Sequence, residues 1–194
     1  MKRGAFIWRR ARPADVRTVA INMSPACERD TFASGHFADK SPAGRRAAVG
    51  ELLVDGLVAP ETPLILYALC REAGWAEQGF PCAVAGAGMT RTEVVRGHTR
   101  KLGAMIWLAT LEWPSIAIST HHWWRTWFAP NVLADFDRVE TSALADPQTS
   151  RWLGLAGFTP RGAPYPVGGD SFVTYAWEPS NFVTDARMRA EKDT

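Results

Sequence analysis

Two adjacent histidines, His121 and His122, invite a metal or catalytic reading first. Neighbours on a helix point about 100° apart, so the pair cannot easily share one ligand, and one packed ring with one exposed ring is expected. His36 and His98 have no cysteine or carboxylate at ligand spacing. Cys27, Cys70 and Cys82 form neither a CxxC pair nor a Cys/His motif. They read as buried free thiols in a reducing compartment, and no metal is expected. No Ser/His/Asp arrangement stands out. Gly86-Ala-Gly88 lacks the third glycine and the following helix of a dinucleotide loop. The denser signal is the stretch from Met89 to Leu102, which carries Arg91, Arg96, Arg100 and Lys101 ahead of Gly103. Cations beside glycine amides can hold phosphate, and the same residues also suit a solvated loop. Glu112 can take a proton through a water, or serve as the negative charge at a helix start beside Pro114.

The elements that must position these residues follow from periodicity and breakers. Ala5–Arg9 reads as a first strand, Pro13–Asn22 as a helix with Val16, Val19 and Ala20 inward, and Pro25–Ala33 as a second helix. Gly35–Gly44 is a loop, and Arg45–Val58 a third helix with Val49, Leu52 and Leu53 inward. The apolar runs Leu64–Cys70 and Phe80–Gly86 suit buried strands joined by a turn at Gln78-Gly79. Ala104–Thr110 is the next strand. Trp113–Phe128 reads as a helix that Pro130 ends or kinks. Arg138–Leu144 is a strand, and Asp146-Pro147 opens a short helix that Gly157 closes, with Trp152, Leu153 and Ala156 on one face. Phe158 starts another strand. A Gly/Pro-rich turn covers Pro160–Gly169, and Ser171–Trp177 alternates as a closing strand. This order predicts a mixed α/β sheet with helices on both faces, one domain over residues 1–178 and a polar tail over 179–194.

The 194 residues carry a net charge of +2, which is too small to imply nucleic acid. The basic stretch also lacks the interleaved aromatics that grip single strands, so nucleic acid is not an expected partner. No apolar run reaches the roughly 20 residues of a membrane span, and Arg9, Arg10 and Arg12 interrupt any signal-peptide core, so neither membrane nor export is expected. Nine tryptophans are many, and Trp123, Trp124, Trp127 and Phe128 recur at helical spacing as a candidate partner surface.

The run Asp146-Pro-Gln-Thr-Ser-Arg-Trp-Leu-Gly-Leu-Ala-Gly-Phe158, between two strands, resembles the C-terminal part of GNAT-type N-acyltransferases. The opening Arg12-Pro-Ala-Asp-Val16, Ala83-Val-Ala-Gly-Ala87 and Ile106-Trp-Leu-Ala-Thr110 resemble, in order and spacing, motifs of GNAT-like proteins carried by tailed bacteriophages. The resemblance covers residues 5–178 and implies the GNAT fold, a centrally splayed sheet, and a phage gene. It also implies a virion or assembly component, with other phage structural proteins as partners, the host cytoplasm as the place of synthesis, and oligomers as an option.

An acyl-CoA enzyme of this fold needs a glycine-rich pyrophosphate cradle where the fourth strand meets the long helix. Here that junction reads Thr110-Leu-Glu-Trp-Pro-Ser-Ile116, without glycine, with Glu112 to repel phosphate and with Pro114, which has no N–H. A second register places the cradle at Arg100-Lys-Leu-Gly-Ala-Met105, with Arg96, Arg100, Lys101 and Gly103 on the phosphates and a helix over Leu102–Trp113. The helix after the fifth strand offers Trp152 where the resemblance implies a tyrosine, while Tyr165 and Tyr175 come later. Acetyl-CoA is therefore possible, with no cofactor the stronger expectation. The leading reading is a GNAT-fold phage component with a degraded acyl-CoA site. The alternative is an acetyl-CoA-dependent N-acetyltransferase that uses Glu112 as base and an amine as acceptor.

Overall fold

A computed structural model describes residues 6–32, 37–60, 64–71, 80–111 and 116–179. Seven strands form one sheet in the order β1-β2-β3-β4-β5-β7-β6. They are β1 (Phe6–Arg10), β2 (Ile65–Arg71), β3 (Phe80–Val95), β4 (His98–Ala109), β5 (Arg138–Leu144), β6 (Thr159–Val167) and β7 (Asp170–Trp177). The β1–β2, β2–β3, β5–β7 and β6–β7 pairs are antiparallel, and β4–β5 is parallel. The expected mixed α/β sheet with its helices is present. By contact density the chain forms two compact units, residues 1–88 with 105–123, and residues 89–104 with 124–194.

In the first unit, α1 (Pro13–Ile21), α2 (Pro25–Phe32) and α3 (Pro42–Val58) cover one sheet face. Their core joins Val16, Val19, Ala20, Val49, Leu53 and Val54 to Leu66, Ala68, Cys70, Val84 and Leu108. Leu52, expected to point inward, is 60% exposed, and Gly50 takes the inner position instead. Gly50 fits because a Cβ there would stand 3.1 Å from Ala20, so helix backbones approach closely where side chains are small. The opposite face, with Leu69, Ala83 and Ala109, receives Ile116 just ahead of α4 (Ala117–Trp123). Gly86 and Gly88 lie where the sheet and its neighbours pack too closely for a side chain. A Cβ on Gly86 would sit 2.1 Å from the Ile65 carbonyl, and one on Gly88 would sit 2.1 Å from Leu64.

The second unit corrects two sequence expectations. Residues 89–101 are not a loop: β3 runs on to Val95 and β4 begins at His98. The two-residue turn has φ 53° at Arg96 and φ 82° at Gly97, the positive-φ pair that joins twisted antiparallel strands tightly. The sequence hid this ribbon because threonines and valines alternate there with charges, and exposure on both faces removes any apolar stripe. The Gly/Pro-rich segment is also a strand: β6 pairs with β7 and shifts register between Arg161 and Tyr165. Prolines are tolerated there because β6 is the sheet edge, where an N–H facing outward has no partner to lose.

The capped helix α6 (Pro147–Leu155) matches its reading. One Asp146 oxygen accepts from the Gln148 and Thr149 N–H groups at 2.9 Å each, Pro147 follows, and Gly157 has φ 89°. Leu153 and Ala156 are buried at 1% exposure. The long aromatic helix is less regular than expected. Its chain passes from α4 into a π-helical turn (Trp124–Phe128), then α5 (Ala129–Asn131) and a 3₁₀ turn (Leu133–Asp135). Pro130 falls inside α5, consistent with a break. The expected turn at Gln78-Gly79, the helix start at Trp113, and the tail from residue 180 lie outside the described residues.

Candidate functional site

The end of β4 and the helical corner against it form the candidate site. Thr110 donates its N–H to the Cys82 carbonyl at 2.8 Å, so this part of β4 is bonded to β3 at residue 110. Main-chain groups of successive strand residues point to opposite edges, so those of Ala109 face away from β3. On that edge β4 pairs with β5 over Leu102↔Arg138, Gly103↔Val139 and Ala104↔Glu140, and the ladder stops there. An extended, amide-bearing ligand laid on a strand edge takes its hydrogen bonds from such main-chain groups.

Ala109 is not available for this. Its carbonyl accepts the Ser24 N–H at 2.8 Å, and its N–H donates to Cys27 Sγ at 3.3 Å. The α1–α2 corner supplies both groups. Ser24, 6% exposed, caps α2 by accepting the Cys27 N–H on its hydroxyl at 3.3 Å. Cys27 is held in turn beside Thr31, with Sγ and Oγ1 3.9 Å apart. The sequence read Cys27 as a spare thiol. Its partner is 82 residues away in the chain, and only the fold brings the two together.

The sequence-predicted site residues separate in space. Glu112 lies outside the described residues, as do Trp113, Pro114 and Ser115. The second register is corrected. Arg100, Lys101 and Gly103 are strand residues of β4 and Arg96 is in the ribbon turn, so no helix starts there to aim amides at phosphate. Gly103 instead pairs with Val139. Arg100 borders a shallow depression shared with Arg138 and the carboxylates Glu93, Asp137 and Glu178, so the surroundings of Arg100 hold acids as well as bases. Asp137 is itself engaged, accepting the Lys101 N–H at 2.6 Å.

The aromatic surface is also corrected. Trp124 and Phe128 are fully buried; Trp124 packs on Phe128, Trp152 and Phe158 and donates Nε1–H to the Ala156 carbonyl at 2.9 Å. Trp123 stacks on Trp8 at 3.9 Å and leans on Tyr67 at 5.5 Å. Only Trp127 among the four is exposed, at 39%. Helical spacing alone could not distinguish core from surface because every position carried a large apolar ring. His121 is half-buried and His122 exposed, as adjacency on a helix implied. Among the described residues no group of three or more His, Cys, Asp or Glu is placed to hold a metal ion.

Tyr175 is 4% exposed on β7, yet its hydroxyl lies 2.7 Å from Ser150 Oγ on α6. A tyrosine hydroxyl thus reaches the helix after the fifth strand from a neighbouring strand. In the first unit Asp15 binds Arg9 through two hydrogen bonds, 2.6 and 2.8 Å, and accepts the Arg12 N–H at 2.8 Å. Burial pushes its carboxyl upward, but Arg9 and the Arg12 amide outweigh that and hold it below the usual carboxylate range. Burial pushes the thiols of Cys70 and Cys82 up.

No family model and no curated protein sequence matches the chain. Solved structures do. The chain is similar to a spermidine N-acetyltransferase from Vibrio cholerae in complex with CoA and spermine (TM-score 0.58, 10% identity, 92% of this chain and 98% of that one). It is similar to AAC(6')-Ib in complex with ribostamycin and coenzyme A (TM-score 0.59, 13% identity, 92% and 96%). It is also similar to an aminoglycoside N(6')-acetyltransferase from Legionella pneumophila (TM-score 0.57, 10% identity, 95% and 98%). The fold is therefore that of the GNAT-type N-acetyltransferases.

Proposed function

We propose that this chain is a GNAT-fold protein that acts through contacts with other proteins rather than by acyl transfer. The observation that carries the reading is the closed end of β4. Ser24 and Cys27 satisfy both main-chain groups of Ala109 internally. Displacing them would leave a buried donor and acceptor unpaired until a ligand replaced them, at a cost of about 1–3 kcal/mol each. The junction sequence supports the same conclusion, because Thr110–Ile116 has no glycine, a carboxylate at Glu112 and no N–H at Pro114. These residues do not fit a pyrophosphate, so no catalytic step is assigned to acetyl-CoA. The motif resemblance supports a phage particle or its assembly as the setting. Calorimetry with acetyl-CoA tests the site: no heat of binding is expected at millimolar cofactor. Mass spectrometry of purified virions tests the setting; absence of the chain from the particle and from its assembly intermediates would sink it.

A second reading, an acetyl-CoA-dependent N-acetyltransferase acting on an amine, is favoured by the comparisons, since the similar structures named above are acetyltransferases, two of them with CoA bound. Saturable acetyl-CoA binding together with amine-dependent release of free thiol would establish it over the first.

A further inference from the structure

We propose that the outer edge of β3, from Met89 to Val95, pairs antiparallel with the same edge of a second copy of this chain. The inference does not depend on whether the chain transfers acyl groups.

Among the described residues the edge is available. The β2–β3 register ends at Ile65↔Ala87, while β3 continues for eight residues to Val95. Along Met89–Val95 all residues are exposed except half-buried Glu93, and the exposed residues include Met89 at 40%, Val94 at 74% and Val95 at 38%. A two-stranded ribbon alone in water is marginally stable, and an exposed edge with apolar side chains is a template for another strand.

The sequence of the edge is complementary to itself. In Met89-Thr-Arg-Thr-Glu-Val-Val95, a two-fold axis through Thr92 pairs that residue with its own copy. The same axis sets Arg91 opposite Glu93 of the second copy, Met89 opposite its Val95, and Thr90 opposite its Val94. Opposed residues share a face, so one face carries two ion pairs between two apolar pairs, and the other carries threonines and valines. Arg91 and Glu93 already form an ion pair within the strand at 2.7 Å, so association would extend this into a four-charge ladder. The tight turn at Arg96-Gly97 sets Val95 opposite His98 with their main-chain groups facing each other, which directs those of Val94 and Thr92 to the free edge. The ribbon's unbalanced cations, Arg96, Arg100 and Lys101, are on the turn and on β4. The pairing strand itself is neutral, and two copies meet without like charges opposed.

A two-fold partner is the commonest symmetric solution, and an isologous contact is closed. The patch is small against the roughly 1,200–2,000 Å² of a standard interface, so a weak dimer is expected, with a dissociation constant on the order of 10–100 µM.

Sedimentation velocity over a concentration series is the test. The unaltered chain is expected to show reversible dimerisation. Arg91→Glu and Glu93→Arg, each folded by circular dichroism, should each weaken the dimer about tenfold or more by opposing like charges across the axis. The double variant Arg91→Glu/Glu93→Arg should restore it. Thr92→Cys should cross-link to its copy on mild oxidation much faster than Thr99→Cys, because only residue 92 lies on the axis. A chain that stays monomeric up to about 1 mM would overturn the proposal and leave this edge to a different occupant. Dimers that ignore the charge reversals, or equal cross-linking at 92 and 99, would place the contact elsewhere and overturn it too.

Discussion

Asp15 joins three parts of the first unit with a single carboxylate. It anchors Arg9 of β1, caps α1 by accepting the Arg12 N–H, and is itself buried at 6% exposure. Replacing it by Ala leaves the partly buried Arg9 without its carboxylate partner and an N–H without its cap, so a loss of about 2–4 kcal/mol is expected in urea unfolding. Arg9 and the Arg12 amide hold its folded-state pKa below the ordinary carboxylate value of the unfolded chain, so the stability it contributes is complete above that ordinary value. The contribution is lost as pH falls below it and through the folded-state pKa. The gap between the wild-type and Asp15→Asn unfolding midpoints should therefore narrow on acidification below pH about 4. Asp15 was visible in the sequence only as a member of the Arg12-Pro-Ala-Asp-Val16 motif at the start of the first helix. Its bond to Arg9 was not, because the chain between them turns from strand to helix at Ala11-Arg12.

Regular elements with end signals were the legible ones. Asp146-Pro147 and Gly157 marked α6 because capping is a local exchange of hydrogen bonds that needs no tertiary partner. Strands β3 and β4 were legible only in their buried halves, where apolar runs are continuous; their exposed halves carry charges and threonines and read as loop. Leu52 was misplaced for a related reason. The inward positions are Val49, Gly50, Leu53 and Val54, so the buried stripe is centred one position away from Leu52, and the glycine that allows close approach carries no hydropathy signal. Gly86 offers a test at this level. Alanine there must displace the Ile65 carbonyl from the β2–β3 pairing rather than a pliable side chain. Gly86→Ala should cost about 3 kcal/mol or more in thermal or urea unfolding, and Gly88→Ala, which meets only the end of Leu64, should cost distinctly less.

At the scale of the molecule, the thiols report how the fold distributes accessibility. Cys70 and Cys82 are buried with raised pKa values, while Cys27 is half-buried at the closed end of β4. A thiol reagent at pH 8 should label one cysteine in the native chain and three after denaturation, with peptide mapping placing the native label on Cys27. Rapid labelling of two or three thiols in the native chain would contradict the buried environments of β2 and β3. The candidate site was only half legible because its two halves have different origins. The poor phosphate junction is a run of adjacent residues, visible as text. The capping of Ala109 by Ser24 and Cys27 exists only once α2 is laid against a strand more than eighty residues later.

The far margin of the sheet has a consequence of its own. Strand β6 places Pro160, Pro164 and Pro166 among its nine residues and kinks between Arg161 and Tyr165. Three missing amide protons and a break in the ladder make that rim a poor template, so a passing strand gains little by docking there. Growth of the sheet in that direction is blocked chemically. Contacts through this rim should accordingly contribute little to any association of the chain when it is concentrated.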